Sequence, residues 1–241
     1  MNGAGLDHLV VMAASLDEGL AWCEASLGVT PDAGGQHAFM GTHNRLLRIS
    51  SPAFAASYLE VIAIDPQGQA PRSHRRWFDM DDAALQAQVR SQGPQLTHWV
   101  ARVSGIAQAT EALRALGYGA GTPQAASRQT PRGLLAWQIG LRPDGQRLLQ
   151  GLLPTLIEWG DQHPEASMAD KGVALQQLQL LHPDAAALHT ALQAIGLGSH
   201  PALQVAQAPT PALVAHLHTP KGLVQLRTQP SLTRSSTHPF F

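Results

Sequence analysis

The 241-residue chain is poor in cysteine, in aromatic rings and in charge. Its one cysteine, Cys23, cannot form a disulfide within the chain, which suits a reducing compartment. Aromatic residues make up 5 % and charged residues 14 %, and 16 basic against 17 acidic residues leave a formal net charge of -1. No basic footprint exists to hold phosphates, so neither nucleic acid nor an anionic membrane is expected as a partner. No apolar run is long enough to span a bilayer. The opening residues, Met1 to His8, lack a basic stretch followed by an apolar one, so a cytoplasmic protein is expected. Also missing are a Gly-rich phosphate loop, a Gly-x-Ser-x-Gly elbow and a Cys-x-x-Cys pair. Hydrophobic residues reach 44 %, which excludes a disordered chain and allows a sizeable core.

What the chain does contain is a repeat. Leu6-Asp7-His8-Leu9-Val10 is followed by a helical pattern ending at Gly28. Leu96-Thr97-His98-Trp99-Val100 leads in the same way to Gly117, and Leu175-Gln176-Gln177-Leu178-Gln179 to Gly196. In the first helix Leu16, Leu20, Cys23 and Leu27 fall on one face, Ser15 with Glu18 forms a capping box, and each closing glycine fits a left-handed C′ position. Shorter β-like stretches follow each helix: 39–49 and 58–64, then 133–139 and 156–159, then 213–218 and 223–227. Each unit therefore reads β-α-β-β-β. Residues 65–95 read as a polar linker with a short helix over 81–89, and 160–172 as a second break.

A polar residue interrupts the first and last strand of each unit. The first unit has His8 and Glu60, the second His98 and Glu158, and the third the neutral pair Gln177 and Gln225. An ionised Glu in an apolar strand is costly to bury unless it is paired or bound to a cation. Two imidazoles with two carboxylates suit a divalent first-row metal such as Zn, Ni, Fe, Co or Mn.

The stretches LDHLVV, GGQHAFMGTHNRLLRI, YLEVIAID, LTHWVARV, RQTPRGLLAWQI and PTLIEWGDQHP resemble the vicinal-oxygen-chelate superfamily, and within it the glyoxalase-like domain proteins of bacteria. The resemblance runs from residue 5 to about 228 and implies an α+β fold of repeated βαβββ modules. Two modules (5–66 and 95–160, together 5–160) would form a paired, U-shaped cleft over a metal. A third, degenerate module would span 172–228, with a tail at 229–241. The resemblance also implies that first and last strands of a module lie side by side. His8 would then neighbour Glu60, and His98 would neighbour Glu158, in the His-Glu-His-Glu order of a glyoxalase I metal quartet. Extradiol dioxygenases of the superfamily would use His8, His98 and Glu158 instead. The third unit, having no mate in the chain, is expected to pack beside the first two or to pair with a second copy in a homodimer.

The polar, glycine-rich stretch from Gly34 to Arg45 sits where a cleft strand should run, and offers His37, Thr42 and Asn44 to a substrate. Arg128 and Trp137 are the parallel candidates of the second unit, and a fixed guanidinium suits a carboxylate or phosphate. Cys23, on the apolar helix face, reads as core. Three functions follow. The first is a divalent-metal-dependent isomerase or lyase on a small vicinal-oxygen substrate, with Glu158 or Glu60 as catalytic base. The second is an extradiol-type non-haem iron dioxygenase. The third is a metal-free small-molecule binding or resistance protein.

Overall fold

The computed structural model describes residues 3–130 and 133–229, and the tail read at 229–241 lies outside them except for Gln229. Each unit opens on a strand that cannot alternate cleanly. In Leu6-Asp7-His8-Leu9 both leucines enter the same apolar core, a spacing of three that a period-two strand does not allow. The first strand, β1 (Gly5–Met12), resolves this with a β-bulge. Against β5 (Gln95–Arg102), Leu6 pairs with Ala101 and His8 with Val100, leaving Asp7 as the extra residue. β5 has the same irregularity at Thr97, between the pairs Val10–His98 and Val11–Leu96. The third unit repeats it at Gln176, where β9 (Ala174–His182) meets β11 (Ala212–Thr219). The extra residue turns two consecutive side chains to one face of the sheet. They are Asp7 with His8, Thr97 with His98, and Gln176 with Gln177.

Helix α1 (Leu16–Leu27) follows β1. Ser15 Oγ accepts the Glu18 N–H, and Gly28, at φ 78°, donates its own N–H to the Cys23 and Glu24 carbonyls. The chain continues through β2 (Asp32–His37), β3 (Thr42–Arg48) and β4 (Tyr58–Ile64). β4 lies parallel to β1, with Tyr58 opposite His8 and Glu60 opposite Val10. After α2 (Ala83–Gln92), the second unit runs β5, α3 (Ile106–Ala115), β6 (Thr122–Thr130), β7 (Gly133–Leu141) and β8 (Thr155–Trp159), with β8 parallel to β5. The antiparallel β1–β5 seam joins the units into one eight-stranded sheet, ordered β2-β3-β4-β1-β5-β8-β7-β6.

The two faces of that sheet have different tasks. Leu9, Val11, Leu59, Val61, Trp99 and Leu156 share one core with α1, α3 and the third unit. Val10, Met12, Ile62, Val100, Trp137, Ile139 and Ile157 face the cleft. In the third unit, β9 is followed by α4 (Ala185–Ala194), β10 (Leu203–Gln207), β11 and β12 (Gly222–Arg227). Its sheet is ordered β10-β9-β11-β12, so β9 is parallel to the first strand after its helix rather than the last. The antiparallel neighbour of β9 is its own β11, not a strand of another unit. β11 and β12 pack against β5, and α4 against α3.

The segment expected as a polar linker does more than connect. Trp77, Phe78 and Met80 are buried in the cleft core with Val89 of α2. Asp82 caps α2 by accepting the Leu85 N–H. Phe78 and Asp79 both hold a left-handed backbone, at φ 59° and 58°. That costly conformation is held by the Asp79 N–H on Gly145 O and by an Arg147–Asp79 ion pair at 2.8 Å. Among the described residues no helix is long and apolar enough to cross a membrane.

Candidate active site

The bulge brings Asp7 and His8 into the cleft together. Asp7 is fully buried. Its Oδ1 lies 2.7 Å from His8 Nδ1, and its Oδ2 accepts the Trp159 indole N–H at 2.8 Å. His163 Nε2 is 3.0 Å and Arg102 Nη1 3.8 Å from the same Oδ2. The Glu165 N–H bonds His163 Nδ1, so the His163 proton sits on Nε2, facing Asp7. Burial alone would push the Asp7 carboxyl up. The hydrogen bonds from His163 and His8 together outweigh it and hold the group well below the usual carboxylate range. An ionised Asp7 keeps the His8 proton on Nδ1. The His8 Nε2 lone pair then faces Glu60 Oε2 at 3.6 Å, while the ring stacks on Tyr58 with centroids 4.6 Å apart.

Glu60 is placed by β4 and steered by β3. Asn44 Nδ2 donates to Glu60 Oε1 at 2.6 Å, and Asn44 Oδ1 accepts the Gly35 N–H at 2.8 Å. His37 Nε2 is 4.0 Å from the same Oε1, and His37 Nδ1 is 3.1 Å from Thr42 Oγ1. Burial pulls the His37 imidazole down to about 4, with Glu60 acting the other way, so it is neutral at ordinary pH. Trp77 meets it edge-on at 4.9 Å.

Of these groups His8, Tyr58, Glu60, Asn44, His37 and Trp77 line a chamber of about 30 Å³, walled by Trp137, Trp159, Ile157 and Phe78. The chamber has room for one or two water molecules or the reacting end of a small substrate. Outside it lies a cleft of about 800 Å³ lined by Gly34, Gly35, Gln36, Gln129, Ser167 and Met168. Leu46, Arg128, Leu135 and Pro164 line both, and so form the neck between them. Arg128 reaches across from β6 to β2. A Cβ on Gly35 would stand 2.0 Å from its Nη1, so a side chain there would push the end of the guanidinium out of its present position. Nη1 is buried and has no hydrogen-bond partner among the described residues.

The second unit does not mirror this. Its bulge turns His98 to the cleft face, but the ring is engaged on both sides. Nδ1 is 3.0 Å from Gly151 O, and Nε2 accepts the Thr155 N–H at 3.2 Å, with Thr155 Oγ1 at 3.0 Å. Phe78, with its ring 5.1 Å away, stands between His98 and the chamber. Burial, helped by Arg147, lowers His98 to about 3. Glu158 points to the opposite face of β8. Its Oε1 accepts the Gly105 N–H at 2.7 Å and its Oε2 the Ile106 N–H at 2.9 Å, which caps α3.

Of the residues singled out in the sequence, His8, Glu60, His37, Asn44, Arg128 and Trp137 therefore line one chamber, and Thr42 stands behind it, in contact with His37. His98 lies behind its wall, and Glu158 is not brought to it. The sequence reading passed over Asp7, Tyr58, Trp159 and His163. The signal for Asp7 was available in the three-residue spacing of Leu6 and Leu9. A resident divalent ion needs three or four protein donors. His8 and Glu60 face each other, but His98 is committed to Thr155 and Gly151. Among the described residues no three His, Cys, Asp or Glu side chains converge as a metal-binding group. The residues present do not fit a resident metal.

A family model described as a glyoxalase-like domain matches residues 6–196. No curated protein matches the sequence. The fold is similar to that of a hypothetical protein from Staphylococcus aureus, at 13 % identity over 93 % of this chain and 85 % of that one, with a TM-score of 0.55. A methylmalonyl-CoA epimerase from Mycobacterium tuberculosis matches 64 % of this chain and 86 % of its own at 17 % identity, with a TM-score of 0.36. A hypothetical protein from Bacillus halodurans matches 66 % of this chain and 95 % of its own at 13 % identity, with a TM-score of 0.36.

Proposed function

The chain belongs to the glyoxalase-like domain family, and from that premise we propose that it is an isomerase or lyase that moves a proton on a small oxygenated substrate, with Glu60 and His8 as its acid–base pair. The observation that carries this reading is the Asp7–His8–Glu60 line, 2.7 Å and then 3.6 Å between facing atoms. Two acceptors, the His8 Nε2 lone pair and Glu60 Oε2, face each other across a gap that a proton or a substrate hydroxyl fills. Asn44 holds the other Glu60 oxygen, so Oε2 is the free end. In the proposed reaction Glu60 takes a proton from carbon next to a carbonyl. Charge then develops on the substrate oxygen, and the proton that fills the His8–Glu60 gap before the reaction, carried on His8 Nε2 and backed by Asp7, is donated to it. A water-poor chamber strengthens each of these interactions.

The metal-dependent form of this chemistry, and the iron dioxygenase form, both call on His98 or Glu158 as ligands. Neither is supported by the donor set described above, and the reaction is derived without a metal step. The test is solvent-deuterium wash-in, read by proton NMR, on a panel of small α-hydroxy carbonyl compounds. Wild type is expected to exchange the carbon-bound proton, and Glu60→Gln to lose about 10²–10⁴-fold in rate. Exchange unaffected by Glu60→Gln, or none in the wild type, overturns the reading in favour of a binding protein. Stoichiometric metal in protein purified without chelator overturns its metal-free form.

A further inference from the structure

We infer that Arg128 anchors a carboxylate subsite at the neck of the cleft, so that the substrate is a carboxylic acid with its reacting end in the chamber and a larger tail in the outer cleft. The inference rests on the acid–base reading above and supplies its substrate class.

Three observations lead there. Arg128 Nη1 and Trp77 Nε1 are buried donors of the chamber lining with no partner among the described residues, and of the two only the guanidinium carries a charge. A buried guanidinium N–H left unmatched is costly, and an incoming oxygen acceptor removes that cost. The glycine at position 35 gives the group its place, since a Cβ there would displace the guanidinium end. The charge balance selects the anion. Glu60 already faces the chamber, and the Arg128 guanidinium is the fixed positive charge lining it. A monocarboxylate is matched by one guanidinium in a planar, two-pronged geometry. A phosphate dianion would add a second, unmatched negative charge beside Glu60.

The dimensions set the rest of the molecule. The chamber, at about 30 Å³, takes only a few atoms, whereas the outer cleft, at about 800 Å³, is of the size that holds a drug-sized ligand. Leu46, Leu135, Pro164 and Met168 give that outer part apolar walls, and Gln36 and Gln129 give it polar points. Because Arg128 lines both spaces, the acid group lies between them and not at the far end of the ligand.

The experiment uses three probes of one shape on the full-length protein at pH 7.5: phenylacetate, neutral phenylacetamide and dianionic phenyl phosphate. Binding is followed by quenching of tryptophan fluorescence, since Trp137 and Trp159 wall the chamber, and by calorimetry. Phenylacetate is expected to bind at least about tenfold more tightly than the amide, the scale of one charge-assisted pair, and more tightly than the phosphate. Arg128→Gln should erase the preference for acid over amide, and Arg128→Lys should keep part of it. Gly35→Ala should erase it as well, with the charge still present. Equal binding of acid and amide, a preference that survives Arg128→Gln, tighter binding of the phosphate, or no binding of phenylacetate overturns the subsite. Melting curves of each variant confirm that it is folded. Glu60→Gln should keep the acid preference. If wild type shows that preference without proton exchange, the acid–base reading falls and the subsite stands.

Discussion

Thr155 stands in the second unit where Glu60 stands in the first. Glu60 lies opposite Val10 and Thr155 opposite Val100, and two residues further on Ile62 O and Ile157 O receive matching N–H groups, from Ala13 and Val103. Each also faces the imidazole of its own unit: Glu60 Oε2 is 3.6 Å from His8 Nε2, and Thr155 Oγ1 is 3.0 Å from His98 Nε2. Glu158 is three positions further along, at the counterpart of Ala63.

This equivalence predicts the effect of Thr155→Glu. The new carboxylate would face His98 and supply the donor that the second unit lacks. Without metal the variant should lose about 2–4 kcal/mol, because a poorly paired charge is buried. With Zn²⁺ or Ni²⁺ it should recover part of that loss. Thermal melts with and without metal are the measurement, and a melt that metal leaves unchanged counts against the equivalence.

Glu158 is expected to behave as a helix cap. Glu158→Ala should cost about 1–2 kcal/mol, a drop of a few degrees in melting temperature for a chain of this size. Glu158→Gln should cost less, since one oxygen acceptor remains. Proton exchange measured on the folded variants should stay within a factor of about two of wild type. A hundredfold loss in rate would instead place Glu158 in the chemistry.

Acid should destabilise the fold through its buried imidazoles. His37 at about 4 and His98 at about 3 both lie below the ordinary value of 6.5. As pH falls below 6.5 the unfolded chain takes up these protons first, so stability is full above that value and is lost as pH drops toward 4 and then 3. Each histidine contributes on the order of 3–5 kcal/mol across that window. Asp7, also lowered, adds a further loss below the usual carboxylate range. Urea unfolding at a series of pH values should show a shallower slope between pH 6.5 and 4 in His98→Gln than in wild type. An unchanged slope would show that His98 is not buried neutral.

Cys23 should be inert in the folded protein. It is buried in the core beneath α1, and burial pushes its thiol up to about 12, with Glu24 adding to the shift. An aromatic disulfide reagent at pH 8 is expected to label it only in denaturant, reaching one equivalent there. Rapid labelling under native conditions would mean that α1 opens readily from the sheet.

The sequence made the repeat legible because its markers are core residues: the paired apolar positions of each first strand, the helix faces and the closing glycines. It did not reveal β2, β6 and β10. All three are edge strands, so one side of each lacks a neighbour and their composition, as in Thr-Pro-Gln-Ala-Ala-Ser-Arg-Gln-Thr, carries little apolar signal. Of the nine candidate site residues, His8, Glu60, Asn44 and Trp137 line the chamber from strands whose alternation was read in the right phase, whereas His37 and Arg128 line it from β2 and β6 and were singled out by residue type and place in the repeat. Glu158 does not line it, because matching Leu-Glu-Val to Ile-Glu-Trp slips β8 by three positions against β4, and an odd slip exchanges the faces of a strand. His98 was read on the correct face. What hid its isolation was the segment 77–80, whose burial depends on a distant ion pair between Asp79 and Arg147.

The bulge separates the backbone of this protein from its chemistry. All three units carry the extra residue, yet the two side chains it exposes are an acid and an imidazole in the first, a hydroxyl and an imidazole in the second, and two amides in the third. The geometry that makes a dyad out of neighbours is thus inherited by units that do not use it. A change of function at any of these positions requires only new side chains on a main chain already bent to present them. The repeat is in that sense a set of sockets, one of them wired.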